Sequence, residues 1–230
     1  MPLDRKDVVM AMVLLHGLGA VGGVWRGVAS APDLPGHGRA AWEPSYSYEG
    51  HARAVLEDLP DGPVDVVGHS MGGVVALVLA ALAPGRVRSV VGLGIKVRWS
   101  PEELAHVAAL AQKPPRTFAT RDEAAERFLK VAGLTGLVAA DDPVVDAGTA
   151  SRGDGSWTLA QDPRTFGVGA FDMPQLLGAA ACRVVLARGE HDRLVSHEEL
   201  AALVDVPVTL RGLGHNAHVE DLDAVLALLG

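Results

Sequence analysis

The sequence predicts an α/β domain: a mainly parallel sheet flanked by helices, with a helical insertion over one edge. Three observations carry this. Short apolar runs (Val8–Leu15, Val64–Val67, Val87–Leu93, Cys182–Ala187 and Val206–Leu210) alternate with helix-length segments, the pattern that covers both faces of parallel strands. The stretch Val64–Ala83 reads as buried strand, tight glycine turn and long apolar helix in immediate succession. The 230 residues are enough for one such domain with a sizeable core. We read 1–230 as a single domain, with the insertion spanning about 96–170.

The individual elements follow in order. Val8–Leu15 is a strand closed by His16-Gly17-Leu18-Gly19, and Asp33-Leu34-Pro35-Gly36-His37-Gly38 is a second turn cluster. Tyr48–Leu59 fits a helix that stops at Pro60-Asp61-Gly62-Pro63. The helix after the glycine turn runs to Ala83, and Val87–Leu93 is the next strand. Beyond Gly94 the pattern changes. Ser100-Pro101-Glu102-Glu103 is a helix start, with a capping serine, a proline at the first helical position and a glutamate at the third. That helix is expected to reach about Gln112, followed by helices over Arg121–Val131 and Asp141–Asp146 and a turn at Gly153-Asp154-Gly155-Ser156. No buried parallel strand is legible between Lys96 and Ala170, so this region is expected to be helical. Asp172–Ala180 returns to the core as a helix. Strand Cys182–Ala187, a helix over Ser196–Leu203 with Ser196 and Glu199 as a capping box, strand Val206–Leu210 and helix Asp221–Leu229 complete the chain.

Composition narrows the function. Apolar residues make up 49% of the chain, as in a globular protein. The net charge of −8 argues against a sequence-independent nucleic-acid binder, which needs a basic face. The one cysteine, Cys182, excludes an intrachain disulfide and reads as a structural thiol. The start of the chain has no signal-peptide pattern and no apolar run reaches membrane-spanning length, so a cytoplasmic protein without membrane contact is expected. Oligomeric state is not readable.

The chemistry centres on Gly68-His69-Ser70-Met71-Gly72, a G-x-S-x-G pattern between strand and helix. A serine on so sharp a turn projects its hydroxyl above the sheet, and the helix start offers free N–H groups beside it. In a chain with 27 glycines the same pattern also fits a plain turn that starts a helix. Two further polar residues bear on the choice. Asp192 follows the strand that ends at Ala187, and His215 follows Gly212-Leu213-Gly214 after the last strand. In a parallel sheet these positions share one edge with Ser70, where ligands of such sheets bind. A serine hydroxyl needs a base, a histidine can take and return its proton, and a carboxylate can fix the tautomer of that histidine. His215 directly follows the turn and is preferred as base over His218, which lies near the last helix and is expected to cap or pack. His16 is expected to be structural.

On these motifs the chain resembles the α/β-hydrolase superfamily, nearest its esterase, lactonase and cofactor-free haloperoxidase group with a helical cap. Gly68-His69-Ser70-Met71-Gly72-Gly73 is similar to the nucleophile elbow, His16-Gly17-Leu18-Gly19 to the oxyanion loop, and Asp33-Leu34-Pro35-Gly36-His37-Gly38 to the D-x-P-G-x-G segment. Arg188-Gly189-Glu190-His191-Asp192 is similar to the acid loop, and Gly212-Leu213-Gly214-His215 with Glu220 to the histidine loop. The resemblance implies Ser70 as nucleophile, His215 as base, Asp192 as acid, and the backbone N–H groups of Leu18 and Met71 as oxyanion hole. It implies no cofactor and no metal. One departure stands out: only seven residues separate Trp25 from Asp33, where the family fits a helix and a strand, so a missing or one-turn helix is expected there.

The expected activity is hydrolysis of a carboxylic ester, thioester or lactone of a small-molecule substrate through an acyl-enzyme on Ser70. C–C bond hydrolysis or lyase chemistry on the same scaffold, and a non-catalytic ligand receptor of this fold, remain open. Trp99, Phe118, Phe128, Phe166, Phe171 and Met173 either line an acyl pocket or pack the insertion onto the core. Lys96 and Arg98 either meet an anionic substrate group or are solvated charges at the entrance.

Overall fold

The computed structural model describes residues 12–28 and 30–230. The expected strand residues Val8–Ala11 and the charged start of the chain lie outside the described residues. In chain order the elements are β1 (Met12–Leu15), α1 (Tyr48–Glu57), β2 (Val64–His69), α2 (Met71–Leu82), β3 (Val87–Leu93), α3 (Pro101–Ala111), β4 (Thr117–Phe118), α4 (Arg121–Val131), α5 (Pro143–Gly148), β5 (Thr149–Ser151), β6 (Trp157–Leu159), α6 (Met173–Ala179), β7 (Arg183–Gly189), α7 (His197–Ala201), β8 (Val208–Leu210), α8 (Ala217–Glu220) and α9 (Leu222–Leu226).

The main sheet has the order β1-β2-β3-β7-β8, and every neighbouring pair is parallel. Leu15, Gly68, Gly92 and Leu186 stand in one row across four strands, so the loops that follow β1, β2, β3 and β7 leave from one edge. Side chains alternate between the two faces, as the strand period of two requires. Val13, Leu15, Val66 and Val90 meet α1, α2 and Met173 of α6 on one face. Met12, Leu14, Val67 and Val91 meet Trp25, Phe128 of α4 and Val225 of α9 on the other. Burying both faces explains why the strands read as unbroken apolar runs. Both expected capping boxes form, Ser100 with Glu103 and Ser196 with Glu199.

Two parts of the structure differ from the sequence-based reading. The segment between β3 and β7 is not purely helical: β4, β6 and β5 form a small antiparallel sheet in that order. Strands of two or three residues are too short to show a period, and the turn at Gly153–Ser156 is the hairpin between β5 and β6. The other difference concerns where the insertion packs. Phe128, Leu129, Val144 and Val145 of α4 and α5 are buried in the same cluster as β1, β2 and β3. The insertion thus contributes to the core as well as overhanging the edge.

This packing borders the shortened segment after Trp25. Among the described residues of 25–33 there is no helix and no strand; a single 3-10 turn, Gly22–Val24, precedes them. The amide of Leu14 instead bonds the carbonyl of Ser30 at 2.9 Å. α5 packs on the Gly22–Val24 turn, and Asp142 at its start pairs with Arg26 at 2.7 Å.

Candidate active site

The turn after β2 can be tight because its glycines carry no Cβ. A Cβ on Gly68 would stand 2.2 Å from the carbonyl oxygen of Gly72, and one on Gly72 would stand 2.4 Å from that of Leu15. The crossing of β2 and α2 therefore needs both. Ser70, between them, has φ 50° and ψ −114°, the only positive φ of a non-glycine among the described residues. Such a conformation costs of order 1–3 kcal/mol and persists only where the surroundings enforce it. Here the Ser70 amide bonds the carbonyl of Leu93 at 2.8 Å, pinning the turn to β3.

The loop after β1 lies against this turn: a Cβ on Gly17 would be 3.4 Å from that of Ser70. His16 anchors the loop. Its Nδ1 donates to the Gly17 carbonyl and its Nε2 accepts from the Leu34 amide, both at 2.9 Å, and burial lowers its pKa to about 4. It is structural, as expected. Asp33 holds the next turn by accepting from the amides of Gly22 at 2.7 Å and Arg39 at 2.9 Å. The amides of Leu18 and Met71 have no acceptor among the described residues. Leu18, Ser70 and Met71 line one cavity together.

Asp192 and His215 meet above the same edge. Asp192 Oδ2 accepts from His215 Nδ1 at 3.0 Å, and the Asp192 side chain is fully buried while His215 is partly open. The other oxygen of Asp192 accepts from the Leu194 amide at 2.8 Å. Gly94 makes room for the pair: a Cβ there would lie 3.2 Å from both the carboxylate and the imidazole, and its φ is +62°. Bonding at Nδ1 leaves Nε2 of His215 free. No hydrogen bond joins it to the Ser70 hydroxyl, but both residues line one cavity with Gly17 and Leu18. Such bonds are often long without substrate.

Two residues that the sequence did not single out support this arrangement. His69, next to Ser70, is buried, and its Nε2 donates to the backbone carbonyl of His215 at 3.0 Å. Arg188, also buried, donates to the carbonyls of Val195 at 2.7 Å, Glu190 at 3.1 Å and Asp192 at 2.8 Å, so it clamps the acid loop from within. Adjacency to Ser70 was the available signal for His69. Nothing in the sequence marks Arg188 as buried. His218 packs as expected, buried with ring centroids 4.3 Å from Trp25 and 4.4 Å from His69.

The aromatic residues divide. Trp99, Phe166 and Phe171 line the cavity beside Ser70. Phe128 and Met173 are core residues, and Phe118 faces a separate groove within the insertion. Lys96 also lines the site, but its ammonium pairs with Glu103 and sits 4.7 Å above the Trp99 ring, whereas Arg98 is exposed. Cys182 is half-buried, packed against the core on the far side of β7 from the loops, with its thiol pKa raised by burial. Among the described residues no group of three or more His, Cys, Asp or Glu is placed to hold a metal ion, and no helix is long and apolar enough to cross a membrane.

Comparison with known proteins now decides the family. The profile of the alpha/beta hydrolase family matches residues 12–228. The chain belongs to the alpha/beta hydrolase family. Among relatives, it is 29% identical to an esterase of Mycobacterium tuberculosis, Rv0045c, over 95% of this chain and 80% of that protein. It is 34% identical to the lipase LipV of the same organism, over 59% of this chain and 54% of the lipase. A pimeloyl-[acyl-carrier protein] methyl ester esterase of Neisseria meningitidis is 41% identical, over 37% of this chain and 31% of that protein. The chain thus spans about half or less of the length of the last two. Among solved structures, an E-2-(acetamidomethylene)succinate hydrolase superposes with a TM-score of 0.77 at 23% identity, covering 95% of this alpha/beta hydrolase and 89% of that chain, a likeness of fold. The family resemblance and the α/β-hydrolase fold read from the sequence both stand.

Proposed function

We propose that this alpha/beta hydrolase cleaves a carboxylic ester, thioester or lactone through an acyl-enzyme on Ser70. The observation that carries the reading is the Asp192–His215 hydrogen bond, which leaves Nε2 free in the cavity that holds Ser70. The ester-cleaving relatives support the same class of bond.

Ser70 attacks the carbonyl carbon as Nε2 of His215 takes its proton. Asp192 keeps the proton of His215 on Nδ1 and stabilises the imidazolium. The amides of Leu18 and Met71 receive the developing oxyanion, a contribution of ~10²–10³ in rate for each donor in such sites. The leaving group departs with the proton from His215. Water, deprotonated by the same imidazole, then releases the acid. No cofactor enters these steps. The substrate is a small molecule, and a chain with one cysteine suits the reducing cytoplasm.

The test is labelling with a fluorophosphonate probe, followed by turnover of p-nitrophenyl esters. Wild-type protein is expected to label once, at Ser70. Ser70→Ala should lose the label and roughly 10⁶ of the rate, the scale seen when a triad serine is removed. Stoichiometric labelling of Ser70→Ala would place the nucleophile elsewhere. A wild-type protein that neither labels nor turns over any ester would point to a receptor built on this fold.

A further inference from the structure

Ser70 stands where two adjoining cavities of different size meet, and only one of them contains His215. The first, about 570 Å³, is lined by Gly17, His69, Glu102, His106, Leu194 and His215. The second, about 80 Å³, is lined by Met71, Val74, Ile95, Phe166, Val168 and Phe171, among other largely apolar residues. Leu18, Ser70, Lys96, Trp99 and Val107 belong to both.

We infer that the small apolar cavity takes the acyl group and the large cavity takes the leaving group, so that the substrate is an ester of a short, uncharged acyl group with a bulky alcohol or thiol. The inference rests on the acyl-enzyme reading above. Its chemical ground is where the proton must go. When the bond between Ser70 Oγ and the carbonyl carbon forms, the proton of Ser70 passes to Nε2 of His215. When the bond from that carbon to the leaving oxygen or sulfur breaks, the same proton must reach the leaving atom. The leaving group therefore lies on the side of His215, and the acyl group is directed the other way, past the Met71 amide. In the second half of the reaction water enters from the His215 side, gives its proton to Nε2 and its oxygen to the acyl carbon. Ser70 recovers the proton, and the acid leaves.

Size and charge then define the acyl group. The small cavity, about 80 Å³ against about 570 Å³ for the other, suits a short acyl chain better than a long one. Its far wall is firm: Phe171 stands edge-on to Tyr48, with ring centroids 5.5 Å apart. Among the described residues Lys96 is the one cation that lines it, and that ammonium is already paired with Glu103. An acyl group with a second carboxylate would find no free partner.

Two ester series test this. In the first, p-nitrophenyl esters run from acetate to dodecanoate with the leaving group constant. In the second, butyrate esters of methyl, benzyl and naphthylmethyl alcohols vary the leaving group alone. The expected kcat/KM stays within about tenfold up to hexanoate and falls more than thirtyfold by dodecanoate, while the alcohol series is level or rises with size. Phe171→Ala should move the acyl limit to longer chains without altering the order of the alcohols. Val168→Phe, which fills the same cavity, should move it to shorter ones and serves if the first variant does not fold. Dodecanoate turned over as well as butyrate, or a Val168→Phe variant that discriminates against large alcohols instead of long acyl groups, would overturn the assignment while leaving the hydrolase reading intact. Absence of turnover in both series, with no probe labelling at Ser70, would remove the hydrolase reading and this one with it.

Discussion

His69 Nε2 donates a hydrogen bond of 3.0 Å to the backbone carbonyl of His215. One side chain thus links the residue before Ser70 to the loop that carries the proposed base. Burial holds the His69 pKa well below its ordinary value, so the imidazole is neutral and its single proton is committed to this bond. His69→Phe should keep most of the bulk and lose the donor, lowering kcat at least tenfold with KM within about twofold of wild type. His69→Gln, whose Nε2 sits near the same position, should recover most of kcat. Steady-state kinetics on the two variants, with melting temperatures as a control for folding, decide the matter. Full activity in His69→Phe would show that the link does not position His215.

Asp192→Asn keeps an oxygen for the Leu194 amide but sets an N–H group against Nδ1 of His215. The imidazole must then carry its proton on Nε2, where it cannot act as base. Rate losses of ~10⁴ accompany this change in enzymes with such a triad, with the geometry kept. The same loss is expected here, with an unchanged circular dichroism spectrum. Turnover near the wild-type value in a folded Asp192→Asn would remove Asp192 from the mechanism.

Arg188 is a buried guanidinium whose partners are three backbone carbonyls, with no carboxylate paired to it among the described residues. Arg188→Met would leave those carbonyls without donors, and each unsatisfied buried acceptor costs about 1–3 kcal/mol. A loss of about 3 kcal/mol in urea unfolding is expected after partial relaxation, together with reduced kcat as Asp192 loses its fixed position. An unchanged urea midpoint would show that the acid loop holds itself.

The sequence was most informative where geometry leaves few choices. Gly68 and Gly72 flank Ser70 because two backbones touch there, and the pattern is visible for that reason. Asp192 and His215 were legible because each follows a strand of a parallel sheet, whose strand ends share an edge. The three short strands of the insertion were not legible, since Thr117–Phe118 and its partners are below the length at which alternation shows. The packing of α5 beside the segment after Trp25 depends on contacts between residues more than a hundred positions apart, such as Arg26 and Asp142. The burial of Arg188 and of His37, His51 and His69 was hidden for the same reason: polar residue types are read as exposed until tertiary contacts are known.

Those histidines make the fold sensitive to acid. His16, His37, His51, His69 and His218 are all buried. Burial lowers the pKa of His16 and His51 to about 4 and of His37 and His218 to about 3, and holds His69 well below its ordinary value. Nitrogens of His37, His51, His69 and His218 lack hydrogen-bond partners among the described residues, so little there would receive an added proton. In the unfolded chain each titrates near 6.5. Between about pH 6.5 and pH 4 the unfolded state therefore binds more protons than the folded one, and stability falls as the pH falls. At pH 5 His16, His37, His51 and His218 contribute about 2 kcal/mol each to that loss, about 8 kcal/mol together, and His69 adds in the same direction. This is comparable to the whole stability of an ordinary domain, about 5–15 kcal/mol. Cooperative unfolding near pH 5, with uptake of about five protons from the slope of log K against pH, is the expected result of a fluorescence and circular dichroism titration from pH 8 to pH 4. His218→Phe keeps a ring between Trp25 and His69 while removing one titrating group. Its midpoint should move down by about 0.3 pH unit. A protein still native at pH 4, or one that takes up only one proton on unfolding, would show that the buried histidines are compensated in the folded state.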